Sequence, residues 1–150
     1  VCLLILILPK KWSVFLTIFY VGFILYETLM FRESGDARTN FVLFSYAGTF
    51  LKEQSVRVGV INNIWLFIPL GTGLYRWFQK KWVLQIPFVM SVAIETTQYV
   101  TGLGIAEFDD VFDNTMGGWI GILVAKGMVI PYRFVDTEQE FQTIVKGLRP

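Results

Sequence analysis

Apolar residues gather into four stretches long enough to cross a hydrocarbon layer: Ser13–Phe31, Val58–Phe78, Val83–Thr101 and Asp110–Ile130. A helix needs about 20 mostly apolar residues for one crossing. The opening run VCLLILIL is too short to span and stops at Pro9-Lys10-Lys11. A remnant of a signal-like segment, an interfacial piece and the tail of a longer helix all fit it. No A-x-A-like site follows Ser13–Phe31, which reads as a retained anchor. After Pro131, Thr137 and Glu140 fit a capping box. Phe141, Ile144, Val145 and Leu148 then recur at helical spacing. The pattern predicts one all-α membrane domain over 1–150: four transmembrane helices, an outer loop that is re-entrant or interfacial, and a short amphipathic C-terminal helix over 131–150.

The distribution of Lys and Arg orients these spans. With the N-terminus inside, Lys10, Lys11, Arg76, Lys80, Lys81, Lys126, Arg133, Lys146 and Arg149 are cytoplasmic, nine in all; Arg32, Arg38, Lys52 and Arg57 make four outside. Both termini are thus predicted cytoplasmic in a multi-pass plasma-membrane protein.

Polar positions then acquire a depth. Glu27 lies near the outer end of span one, Asn62 and Asn63 in the outer half of span two, and Glu95 and Gln98 in the outer third of span three. Glu107, Asp109, Asp110, Asp113 and Asn114 crowd the outer end of span four. A charged side chain at a helix centre costs about 2.5–3.5 kcal/mol on insertion scales. Glu27 and Glu95 are therefore expected to face the interior, with Arg32, Arg38 or Arg57 as candidate counter-cations. Two further features shape packing. Gly117, Gly121 and Ala125 form a small-residue stripe that admits a close neighbour. Pro69, with Gly71 and Gly73, is expected to kink span two, either as a tolerated bend that shapes packing or as one that opens the outer half into a cavity.

Composition removes several chemistries. The chain is 54% hydrophobic, 17% aromatic and 17% charged, against about a quarter charged in soluble domains. A net charge of +1 supplies no basic field for nucleic acid. Cys2 stands alone, so no intramolecular disulfide forms, and there is no histidine for acid–base or metal work.

The segments NFVLF at 40–44, NNIWLFIPLG at 62–71, ETTQY at 95–99 and EFDDVFDNTMGGWIG at 107–121 occur in order. Together they make the chain resemble the VanZ-like family, named for a teicoplanin-resistance accessory protein. The family's polar signature falls on Asn40, Asn63, Pro69, Gly71, Glu95, Gln98, Glu107, Asp110, Asn114, Gly117 and Gly118. Leu43 stands where the family's loop has proline, and Asp109 and Asp113 occupy positions the family varies. The resemblance implies an integral membrane protein linked, in some members, to reduced teicoplanin susceptibility; it supplies no catalytic mechanism.

Three functions remain open. In the first, Asn62, Asn63, Glu95, Gln98, Glu107, Asp110 and Asn114 line an outer-leaflet pocket for a lipid-linked cell-wall precursor or a lipoglycopeptide, among membrane lipids. In the second, Glu95, Glu107 and Asp110 hold a divalent cation such as Mg²⁺ or Mn²⁺, or act as a carboxylate pair on an outer-leaflet lipid. In the third, these residues are interhelical glue, with Pro69, Gly71, Gly117, Gly118 and Gly121 structural. Oligomeric state is not legible.

Overall fold

A computed structural model describes residues 1–30, 38–103 and 105–147. The chain is mostly helical. Helices α1 (Cys2–Ile7), α2 (Lys10–Leu29), α3 (Gln54–Phe78), α4 (Ile86–Thr101) and α5 (Phe108–Gly147) are joined by two short strands, β1 (Arg38–Asn40) and β2 (Ile105–Glu107). Among the described residues two helices, α2 and α3, are long and apolar enough to cross a membrane.

Helix α1 is the short opening run. Val1 and Cys2 line the same cleft as Tyr20, Phe23 and Glu27, so this run folds back along α2 from the turn at Pro9. α3 runs unbroken through Pro69 and is buried from Phe67 to Leu74 except at Ile68; it is the central helix. Span three begins later than its hydropathy suggests. Pro87 sits in the first turn of α4, where its missing N–H is harmless, and a 3₁₀ turn at Lys81–Gln85 precedes it. Sixteen residues rise only about 24 Å, short of a bilayer core of about 30 Å. Gly102 ends the helix in the left-handed region at φ 68°.

The tail departs from expectation. α5 continues through Pro131 to Gly147, so no separate C-terminal helix starts there. A proline removes one rung and costs about 3 kcal/mol, and here that loss does not end the helix. Thr137 and Glu140 therefore lie inside the span of α5 and not at a helix start. The apolar stripe expected on the tail lies outside the described side chains.

Contacts at matching heights fix the helix directions. Asn63 of α3 meets Asp110 of α5, and Thr72 meets Gly121, so these two run in parallel. α4 runs against α5, with Ser91 at Asn114 and Leu84 at Trp119. Ile24, Phe67, Leu70, Leu74, Val83, Ile94 and Ile122 form the apolar core. The outside is just as apolar. α2 buries Ser13, Thr17 and Thr28 while Phe15 and Phe19 are 65% and 68% exposed. A Cβ at Gly73 would stand 2.2 Å from Thr17 Oγ1, which explains why small residues are needed inside. In water each such exposed ring forfeits about 1.5–3 kcal/mol of burial, whereas hydrocarbon removes that penalty.

Candidate functional site

The acidic start of α5 is a fastening. Asp109 accepts hydrogen bonds from the backbone N–H groups of Phe44 and Ser45, the latter at 2.9 Å, and from Ser45 Oγ at 2.6 Å. Asp110 accepts from Asn63 Nδ2 at 2.7 Å. Asp113 accepts from the Tyr46 hydroxyl at 3.2 Å. Burial, then the Asp113 carboxylate, pushes the Tyr46 phenol up to about 12; it keeps its proton and remains a donor. Asp109 and Asp110 also occupy the first turn, where the helix dipole favours negative charge. Segment 41–52 is thereby pinned across the head of α5, with Phe44 against Phe112 and Phe41 against Phe108.

The strands complete this end. β1 and β2 pair in parallel, setting Asn40 opposite Glu107. Asn40 Nδ2 donates to Ser45 Oγ at 2.9 Å and to Glu107 Oε1 at 3.4 Å. The Glu107 N–H in turn donates to Glu95 Oε2 at 3.0 Å.

Several hollows open around this network, and three of them carry residues singled out in the sequence. One of about 470 Å³ is walled by Asn62, Asn63, Glu107, Asp109, Asp110 and Asp113, with Ser45, Tyr46 and Thr49 from the pinned loop. A cleft of about 620 Å³ shares Asn62 and Asn63 with it and continues over Glu27, Phe23, Trp65, Leu66 and Pro69. A smaller pocket of about 250 Å³ holds Glu95 and Glu107.

The seven residues expected to line one pocket are thus divided. Asn62, Asn63, Glu107 and Asp110 share the 470 Å³ hollow, and Glu95 lines the smaller pocket. Gln98 is fully buried and donates to the Thr28 carbonyl at 2.8 Å. Asn114, also buried, donates to Ser91 Oγ at 2.9 Å. These two tie α4 to α2 and to α5. Among the described residues no group of three His, Cys, Asp or Glu side chains converges as a metal cage. Glu95, Glu107 and Asp110 are spread over two hollows. Arg57, a candidate counter-cation, instead donates to the Phe50 and Leu51 carbonyls at 3.2 and 3.0 Å. Arg32 and the Arg38 side chain lie outside the described residues. Ser45 and Tyr46 were not expected as polar partners, and no spacing signal in the sequence joins them to acids more than 60 residues away.

The glycine stripe brings the backbones of α3 and α5 together. A Cβ at Gly117 would lie 2.1 Å from the Ile64 carbonyl oxygen, one at Gly121 2.0 Å from that of Ile68, and one at Gly71 1.9 Å from that of Gly118. Gly118 itself faces Pro87 of α4, 2.4 Å from where its Cβ would be.

With this geometry in hand, comparison with known proteins is informative. The VanZ/LLP1 family model matches residues 4–130. Protein VanZ of Enterococcus faecium is 32% identical over 66 residues, which is 42% of this chain and 41% of that relative. The chain therefore spans less than half the length of that curated relative. No solved structure matches.

Proposed function

The chain belongs to the VanZ/LLP1 family, and from that premise we propose that it is a multi-pass plasma-membrane protein binding an amphiphilic cell-envelope molecule at the outer leaflet. α2 to α5 form its membrane bundle, with the Pro9–Lys11 turn and the C-terminus on the cytoplasmic side. The ligand is a lipid-linked cell-wall precursor or a lipoglycopeptide of the teicoplanin type, and binding it lowers susceptibility to such antibiotics. One observation carries this reading. A polar hollow of about 470 Å³ adjoins an open cleft whose walls are mostly aromatic and aliphatic but include Glu27 and Thr28, and Asn62 and Asn63 line both. A headgroup in the first and an acyl chain in the second match an amphiphile divided at the same two residues.

Asn62 provides the test, since it is exposed and belongs to both hollows. Asn62→Leu is expected to shift stability by no more than about 0.5 kcal/mol. Binding of fluorescent teicoplanin to protein in nanodiscs is expected to weaken about tenfold, the worth of one good hydrogen bond. Unchanged binding of both teicoplanin and a lipid-linked precursor would refute the assignment.

The topology has its own test. Cys2 is the only cysteine, so Cys2→Ser gives a clean background. A cysteine at Gly48, where nothing lies within 4 Å, is expected to react with an impermeant maleimide on intact cells. A cysteine at Lys80 is expected to react only after lysis. The reverse labelling would invert the orientation.

A specific observation supports a second reading, the structural one. Asp109, Asp110 and Asp113 each bind a group from the loop or from α3. On this reading the acids build the wall of the site, and Asn62 separates the two, because none of these bonds depends on it.

A further inference from the structure

The polar hollow at Asn62 and Asn63 has a second apolar exit. A groove of about 340 Å³ lies between α3, α5 and the pinned loop, walled by Ala47, Phe50, Ile64, Phe112, Met116 and Ile120. Tyr46, Val60 and Asp113 line both this groove and the hollow, so the Tyr46–Asp113 hydrogen bond stands at their shared edge. The first exit is the 620 Å³ cleft, which shares Asn62 and Asn63 with the hollow.

Helical geometry sets the two exits on opposite sides of α3. Val60 and Ile64 line the groove, whereas Asn62, Trp65, Leu66 and Pro69 line the cleft. Val60 to Asn62 and Ile64 to Leu66 are steps of two residues; Val60 to Trp65 and Ile64 to Pro69 are steps of five. Such steps turn about 200° and 140° around a helix. Both exits lead away from the acidic end. Phe112, Met116 and Ile120 descend α5 over about 12 Å, and Asn62 to Pro69 descend α3 over about 10 Å. A headgroup in the hollow therefore meets two apolar paths with a helix between them. A lipid with one chain fills one path. A lipid whose two chains branch from one backbone fills both and straddles α3. The hydroxyls of Ser45, Tyr46 and Thr49 and the amides of Asn62 and Asn63 in the hollow suit a headgroup rich in hydroxyls, which both donate and accept.

We infer that the amphiphile held here is a glycolipid with two hydrocarbon chains, one in the cleft over Trp65 and one in the groove over Met116. This rests on the Asn62–Asn63 hollow as a headgroup site and adds the second chain to it. The protein in micelles of a polyoxyethylene alkyl ether, which carries no sugar, is titrated with the monooctanoyl or the dioctanoyl form of glucosylglycerol. Thermal unfolding is the readout, because a ligand of the folded state raises its midpoint. The two-chain form is expected to saturate at a concentration at least about tenfold lower, since its second chain, once tethered, enters the groove at high effective concentration. Ala47 is exposed and lines the groove but neither the hollow nor the cleft, so Ala47→Trp folds and obstructs the second chain alone. That variant should need about tenfold more of the two-chain form and no more of the one-chain form, because the cleft stays open. Asn62→Leu should weaken both forms about tenfold. No advantage for two chains, or an advantage that survives Ala47→Trp, overturns the straddling ligand and leaves the headgroup site standing. Undiminished binding of both forms by Asn62→Leu, or no saturable rise with either form in the parent, removes the glycolipid from the hollow and the second chain with it.

Discussion

Valine at Gly117 is expected to abolish folded protein, read as loss of the monodisperse peak on size exclusion in detergent and of a cooperative thermal transition. The obstruction is backbone. The first added carbon would lie 2.1 Å from the Ile64 carbonyl oxygen and 2.9 Å from its carbon, so no rotamer change relieves it. Overpacking usually costs about 1–3 kcal/mol where side chains can yield. Here α3 must move away from α5, and the Thr72 to Gly121 and Asn63 to Asp110 bonds move with it. A penalty of several kcal/mol rivals the whole stability of a domain, about 5–15 kcal/mol. Gly22 is the control. It is a helical glycine with nothing within 4 Å, and Gly22→Ala is expected to raise stability by about 0.5–1 kcal/mol. A Gly117→Val protein melting within a few degrees of the parent would show that the seam is not close-packed.

That seam was legible, because small residues four apart on an apolar helix have few other uses. The neighbour was not. Gly118, beside the stripe in sequence, faces Pro87 of α4, and only three-dimensional placement separates the two interfaces. The gathering of polar residues at one end was also legible, since span directions alternate and each polar residue has a depth. How they pair was hidden. Glu95 and Gln98 share a face by spacing, yet Gln98 reaches the Thr28 carbonyl of α2 while Glu95 turns to Glu107. The acids looked like one cluster because sequence shows their mutual proximity but not the loop they hold. Nothing in the run from Phe41 to Tyr46 marks Phe44 for a left-handed φ of 59°. No glycine or asparagine stands there to signal the turn. Helix ends were misjudged where proline was decisive: Pro87 sets the start of α4, while Pro131 does not end α5.

Removal of the Asp109 carboxylate should have the second largest effect, and a local one. Asp109→Ala strips the acceptor from two backbone N–H groups and one hydroxyl. Hydrogen bonds to a charged group are worth about 1.5–3 kcal/mol each, and three on one carboxylate are not additive. A net loss of about 2–4 kcal/mol is expected. It should fall on segment 41–52, because Phe44 holds a backbone conformation that costs about 1–3 kcal/mol without such support. Limited proteolysis in detergent is expected to nick Asp109→Ala within 41–52 under conditions that leave the parent intact. Ser45, Tyr46 and Thr49 leave the 470 Å³ hollow with the loop, so teicoplanin binding should fall as well. Asp113→Asn, which loses only charge at the single Tyr46 bond, should cost about 1 kcal/mol and leave the loop uncut. Equal cleavage of both variants would mean that the loop is held by its aromatic contacts with Phe108 and Phe112, and that the charge at the head of α5 serves some purpose other than fastening.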